Sequence, residues 1–265
     1  MAHNVVLITG AGGFLGGQLA RALASDTHTA PAVRLILVDV VEPKAPQNVE
    51  AVTIKADLTD PTQADGLFDT KFGVPDTVYC LHGIMSRGSE DNFDFGVKVN
   101  IDSVRTVLDA ARHAGQRSGT VIKFIFTSSL AVYGGPLPPV ATQDTIATPQ
   151  SAYGMAKLVD EIFINEYTRR GFVDGRILRL PTIVVRPGAP SAAASSFVSA
   201  LEAVAGADAV ARIWFEDDET NRRVVSSWPA RFDNSYALSL GFVADEGGMV
   251  PIVKRFKEQL LAGEV

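Results

Sequence analysis

Asn4-Val5-Val6-Leu7-Ile8-Thr9-Gly10-Ala11-Gly12-Gly13-Phe14-Leu15-Gly16 is the stretch on which the fold turns. Its apolar run reads as a buried strand and passes directly into a loop with glycines at the first, fourth and seventh positions, Gly10, Gly13 and Gly16. A helical pattern follows at once. Gly10 permits a tight turn, Gly13 lets backbone N–H groups approach a ligand closely, and Gly16 allows the helix to pack against the strand. Phe14 and Leu15 open that helix, whose N-terminal N–H groups and positive dipole end suit a pyrophosphate. Glycine-rich turns also arise for purely steric reasons, so the loop takes its meaning from its surroundings.

Outward from the loop, short Val, Ile and Leu runs alternate with longer amphipathic stretches through two-thirds of the chain, the pattern of βαβ units. The expected strands are Asn4 to Thr9, Arg34 to Asp39, Val49 to Lys55, Thr77 to Leu81, Val121 to Thr127 and Gly175 to Pro181. Helices are expected at Gly13 to Ser25, Asn92 to Ala114 and Ser151 to Arg170, where apolar residues recur at three- and four-residue spacing. This order implies an α/β fold with a doubly wound, Rossmann-type parallel sheet over residues 1–185. Residues 186–265 read as a small C-terminal substrate lobe. It holds a small-residue segment from Pro187 to Ser196, a helical stretch at Phe197 to Ala205, an apolar run at Ala211 to Phe215, and helical patterns at Ser235 to Leu240 and Val250 to Leu261.

Asp39 closes the second strand, roughly 20 residues beyond the loop, where an acid accepts both ribose hydroxyls of an adenosine. An isolated acid at a strand end would more simply be a solvated one. Joined to the glycine loop, it points to a dinucleotide. A carboxylate there repels a 2′-phosphate, and Val40 and Val41 follow where an arginine would welcome one, so NAD is expected over NADP.

Tyr153 and Lys157 stand four apart in Ser151-Ala152-Tyr153-Gly154-Met155-Ala156-Lys157, so both project from one helix face. An ammonium beside a phenol favours the phenolate, as a general base for an alcohol proton requires. Such spacing is common on exposed helices, but the strand before it adds weight. Phe124-Ile125-Phe126-Thr127 runs into Ser128-Ser129, placing hydroxyls at the carboxyl edge of the sheet, where ligands bind in this architecture. Tyr133 has no lysine four residues on and reads as a packing or positioning residue.

Lys and Arg number 24 against 30 Asp and Glu, and the net charge of −6 with no basic cluster argues against nucleic acid. The single cysteine, Cys80, allows no internal disulfide or Cys-based zinc site and reads as a small apolar residue in a buried strand. No metal is expected. With no leader-like N-terminus and no apolar run long enough to span a bilayer, a cytoplasmic location away from membranes is expected.

Taken in order, the glycine loop, the acid after the second strand, the serine and Tyr-x-x-x-Lys resemble the extended short-chain dehydrogenase/reductase family, the NAD-dependent epimerases and dehydratases. The resemblance runs from Asn4 to about Val185. It implies that Ser129, aligned through Val132-Tyr133-Gly134, is the catalytic serine, with Ser128 its neighbour at the cofactor, and that Lys157 also holds the nicotinamide ribose. It further implies that Asp57 and Leu58 hold the adenine, that Leu81-His82-Gly83 passes under the cofactor, and that Asn100 is the family's structural asparagine. For Asn100 an N-cap or a surface position competes; for His82 a polar residue lining the crevice is expected, without a catalytic role. Pro181 to Val184, Ile183 included, match the segment that touches the nicotinamide.

Within the family, Leu178 to Gly188, Ala193 to Phe197, Ser227 to Asp233 and Leu240-Gly241-Phe242 look like the D-erythronate dehydrogenase branch. That branch oxidises the C2 hydroxyl of a four-carbon sugar acid with NAD. One departure is expected to matter: a segment like Ser196 to Leu201 is joined directly to one like Glu202 to Gly206, without the elements the branch carries between them. Epimerisation or dehydration of a nucleotide-linked sugar, and NAD binding without catalysis, are the competing readings. The partner expected is a small sugar acid, and a homodimer is left open.

Overall fold

The computed structural model describes residues 4–25, 32–183, 204, 208, 217–243 and 249–262. Six parallel strands form one sheet: β1 Asn4–Thr9, β2 Val33–Asp39, β3 Glu50–Lys55, β4 Thr77–Cys80, β5 Lys123–Ser129 and β6 Asp174–Leu180. Their order across the sheet is β3-β2-β1-β4-β5-β6, so the direction of winding reverses between β1 and β4. Ligands in open α/β sheets sit at such a reversal, beyond the carboxyl ends of the strands. Here that point is Gly10 and Leu81, since Thr9 pairs with Cys80.

Alternation along β1 decides both layers. Val5 and Leu7 face a core with Ile36, Val78, Phe124 and Phe126 under α5 (Ser103–Ser118) and α6 (Ala152–Arg169); Val6 and Ile8 face the opposite layer with Leu35, Leu37 and Ala20 of α1 (Phe14–Ser25). Phe124 and Phe126 are wholly buried. Each contributes roughly 1.5–3 kcal/mol of transfer free energy, so β5 is anchored in the sheet just before its hydroxyl-bearing end.

The expected single helix from Asn92 to Ala114 is instead α4 (Phe93–Val97), a π-helical turn at Lys98–Asp102 and α5. Asn92 caps α4 by accepting from Phe95 N, and the wide turn carries Asn100 inward to bond backbone outside the helix. Strand five ends two residues later than expected. Ser128 and Ser129 pair in register with Arg179 and Leu180, while Gly119 at φ +71° ends α5 and delays the strand's start.

Three short helices lay below the reach of periodicity: α2 (Pro61–Gly66), α3 (Ser86–Asp91) and α7 (Glu219–Ser226). For α2 a local signal existed, Asp60 capping Thr62 N with Pro61 at the first helical position. Helices α8 (Ser235–Ser239) and α9 (Met249–Leu261) fall where the C-terminal patterns placed them. Pro187 to Ser196, Ala211 to Phe215 and the junction at Leu201 and Glu202 lie outside the described residues. Among the described residues no helix is long and apolar enough to cross a membrane, and no cluster of His, Cys, Asp and Glu could hold a metal.

Candidate active site

The glycine loop is built as its spacing demanded. Gly10 takes φ +71°, and a Cβ on it would meet His82 N at 2.8 Å; one on Gly16 would meet Gly10 O at 2.2 Å. Any side chain at Gly16 would lift α1 off the loop and β1. Across the loop, Asp39 accepts from Gly12 N at 3.0 Å and from Val40 N at 2.7 Å, so the acid at the end of β2 is held beside the glycines.

These groups border a cleft of about 600 Å³ at the reversal point. Gly10, Gly13, Asp39, Asp57, Leu58, His82 and Gly83, all singled out from the sequence, line it. Phe95, Lys98 and Val99, contributed by α4 and the π-helical turn, line it as well and were not foreseen. The bare backbone of the loop and the acid opposite it fit a dinucleotide. Asp57 accepts from Thr59 N and Thr59 Oγ1, and the Thr59 backbone bond above all holds its carboxyl below the usual range.

His82 is a satisfied neutral imidazole. Nδ1 lies 2.7 Å from Thr9 Oγ1 and Nε2 2.8 Å from Ser103 Oγ, whose own proton goes to Val99 O at 2.5 Å. Nε2 must therefore donate to Ser103 and Nδ1 accept from Thr9. Desolvation, with the nearby Lys157 charge second, pushes the ring down to about 3.

Asn100, 1% exposed, accepts from Ile84 N and donates to Ile84 O and Ser89 Oγ. It clamps the loop after β4 rather than capping a helix or meeting solvent. Gly83 owes its lack of a side chain to this clamp, because a Cβ there would meet Asn100 Oδ1 at 2.7 Å.

At the carboxyl end of β5 the two serines part. Ser129 Oγ accepts from Ala131 N at 3.1 Å, which leaves its O–H to donate elsewhere. Ser128 is buried and donates to Glu161 Oε1 at 2.5 Å, so its hydroxyl is spent on the interior; Ser129, Tyr153 and Lys157, like Ser128, stand outside the lining of the cleft. Glu161 also receives a bidentate grip from Arg179, at 2.9 and 2.6 Å, tying β5, α6 and β6 together. Arg179 reaches on to Tyr133 Oη at 2.7 Å, so Tyr133, 5% exposed, is a packing residue beside Phe232.

Helix α6 delivers Tyr153 at its first turn. Ser151 caps it by accepting from Gly154 N, and Glu90 Oε1 accepts from Ala152 N at 2.6 Å. A Cβ on Gly154 would meet Ala131 O at 2.0 Å, so the tyrosine's neighbour seats the helix directly on the turn that follows Ser129. Lys157, one turn on, is 3% exposed; its ammonium lies 4.4 Å over the Phe126 ring and 5.6 Å from the Tyr153 ring centre. Gly154, Glu90, Asp160, and the Glu161–Arg179 pair escaped the sequence reading, because close approach and burial leave no mark in spacing. Pro181 and Ile183 follow β6 directly, while Val184 lies outside the described residues.

Comparisons with known proteins agree with this arrangement. Residues 6–223 match the model of the NAD dependent epimerase/dehydratase family. A D-erythronate dehydrogenase of Cupriavidus necator is 46% identical over 202 residues, which cover 74% of this chain and 60% of that protein. The chain thus spans less than two-thirds of that relative's length. A D-erythronate dehydrogenase of Haemophilus influenzae is 35% identical across 91% of this chain and 95% of its own. That alignment runs over 306 positions against 265 residues here, so the relative carries residues this chain lacks. A solved structure described as a nucleoside-diphosphate-sugar epimerase from Agrobacterium tumefaciens is 29% identical, with a TM-score of 0.85 over 99% of this chain and 96% of that one.

Proposed function

The chain belongs to the NAD dependent epimerase/dehydratase family, and from that premise we propose that it is an NAD-dependent dehydrogenase oxidising the C2 hydroxyl of a small sugar acid such as D-erythronate. The observation that carries this reading is the buried Lys157 ammonium beside Tyr153, on a helix seated against the Ser129 turn. The likeness to two D-erythronate dehydrogenases supports the substrate class.

In this account Tyr153 takes the proton from the substrate hydroxyl. Ser129, whose O–H has no acceptor among the described residues, donates to the reacting oxygen and fixes its direction. Lys157, shielded from water, stabilises the phenolate more strongly than an exposed lysine would. The glycine loop receives the pyrophosphate, Asp39 the adenosine ribose, and Asp57 and Leu58 the adenine; Lys157 also holds the nicotinamide ribose, and Pro181 and Ile183 border the nicotinamide. When bound, NAD supplies the acceptor for the hydrogen leaving C2. Asp39, held beside Gly12, makes NAD the preferred cofactor over NADP. Residues 186–265 form a shortened substrate lobe; its described part is tied to the sheet domain by Arg87 with Asp218 and by Glu90 with Arg223.

A second reading, epimerisation of a nucleotide-linked sugar, is favoured by the likeness to the Agrobacterium structure. The chemistry separates the two. Incubation with NAD and either free sugar acids or nucleotide sugars, followed by NADH absorbance and product analysis, is expected to give net NADH from the sugar acids alone. An epimerised nucleotide sugar without net NADH would replace the first reading by the second.

A further inference from the structure

Asp160 lies three residues beyond Lys157 on α6 and is fully buried, yet among the described residues neither carboxyl oxygen has a hydrogen-bond partner. A carboxyl group so placed is disfavoured as an anion and tolerated as a neutral acid.

The groups that face it are few. On its own helix, Lys157 favours its ionisation and Glu161 opposes it; from β4, Cys80 faces it. Glu161 is already neutralised by Arg179 and bonded by Ser128. Burial pushes the Cys80 thiol up to about 12, so it stays uncharged. His82, which also feels Lys157, is neutral. Lys157 is thus the charge to which Asp160 answers, through space and without a hydrogen bond between them.

We propose that Asp160 is a positioning residue for the reaction, a buried acid whose ionisation governs how much of the Lys157 charge is available to Tyr153. The inference rests on the roles assigned above to Tyr153 and Lys157. With Asp160 neutral, the ammonium acts undivided on the phenol. With Asp160 ionised, the two charges compensate and the phenolate loses support. Burial pushes the carboxyl up to about 8, which keeps it neutral at neutral pH and places the change on the alkaline side.

Asp160→Asn and Asp160→Leu, checked first for cooperative unfolding, test this without any substrate. The readout is the ultraviolet phenolate absorbance that Tyr153→Phe removes. In both variants it is expected to appear about half a pH unit or more below the unaltered protein, since the opposing charge is gone. The rising, acid side of the sugar-acid oxidation profile moves to lower pH with it, since the base must be ionised to act. In the unaltered protein, the Asp160 carboxyl followed by carbon NMR is expected to titrate above neutral pH; this holds even if neither variant folds. Phenolate appearing at the same pH in all three proteins, or an Asp160 carboxyl titrating in the ordinary acidic range, would overturn the proposal. Absence of NADH from every sugar acid, with the phenolate displaced as expected, would sink the substrate reading and support Asp160's role.

Discussion

Replacing Tyr153 by Phe removes one oxygen and leaves the ring packing of α6 intact, so it isolates the proton transfer. General base catalysis contributes roughly 100- to 10,000-fold. The expected outcome is a fall in kcat of about that size with NAD affinity unchanged, read by steady-state kinetics and calorimetry. Asp39 tests the other half of the site. Its carboxylate accepts from Gly12 N and Val40 N, which hold it beside the glycine loop. Asp39→Ser is expected to narrow the preference for NAD over NADP by about tenfold, roughly 1.4 kcal/mol, in paired dissociation constants; equal binding of both cofactors by the unaltered protein would show that Asp39 does not select. The places of both residues were legible in the sequence: Asp39 closes β2 beside the glycine loop, and Tyr153 opens α6 one turn before Lys157. Ser128 was not: its neighbour's motif marked it for the cofactor, whereas strand alternation turns it inward to Glu161.

Close approach decides how the elements position these residues. Helix α6 can sit on the turn after Ser129 only because residue 154 has no side chain. Gly154→Ala is therefore expected to destabilise the protein by about 1–3 kcal/mol through overpacking, seen in urea unfolding. It should also lower kcat more than it raises KM for NAD, since Tyr153 moves and the glycine loop does not. Unchanged turnover would mean that the helix start is free to shift. At this scale the strands were read from the sequence to within about two residues, since β1 and β2 are apolar on both faces and bounded by turns. Short helices such as α3 escaped because a single turn and a half has no period to detect. The break at the π-helical turn escaped for another reason. Asn100 leaves the helix pattern to clamp the loop at Ile84, a tertiary bond that no local signal announces.

Over the whole molecule, the cofactor half and the substrate half stand differently. Among the described residues, those lining the cleft run from Gly10 to Ser103, while Lys157, Pro181 and Ile183, assigned to the nicotinamide end, stand outside that lining. The substrate side is assigned by proposal to residues 186–265, and the Haemophilus relative carries residues that this chain lacks. Orientation of a substrate is worth roughly 7–11 kcal/mol of barrier in favourable intramolecular models, and a substrate lobe shortened as proposed would surrender part of it. The isolated chain is thus expected to bind NAD normally while oxidising D-erythronate slowly, or to need a second subunit to complete the pocket. If residues 197–205 close the cleft as one helix, turnover would be ordinary and the shortening harmless.

The central claim, that Tyr153 works as the base of an NAD-dependent oxidation, meets its most direct test in one preparation. NAD binding is measured by calorimetry, then NADH formation from D-erythronate is followed for the unaltered chain and for Tyr153→Phe. The account predicts NAD binding by both proteins, slow NADH formation by the first, and none above background by the second. NADH formation at equal rates in the two, or no NAD binding by either, would contradict it.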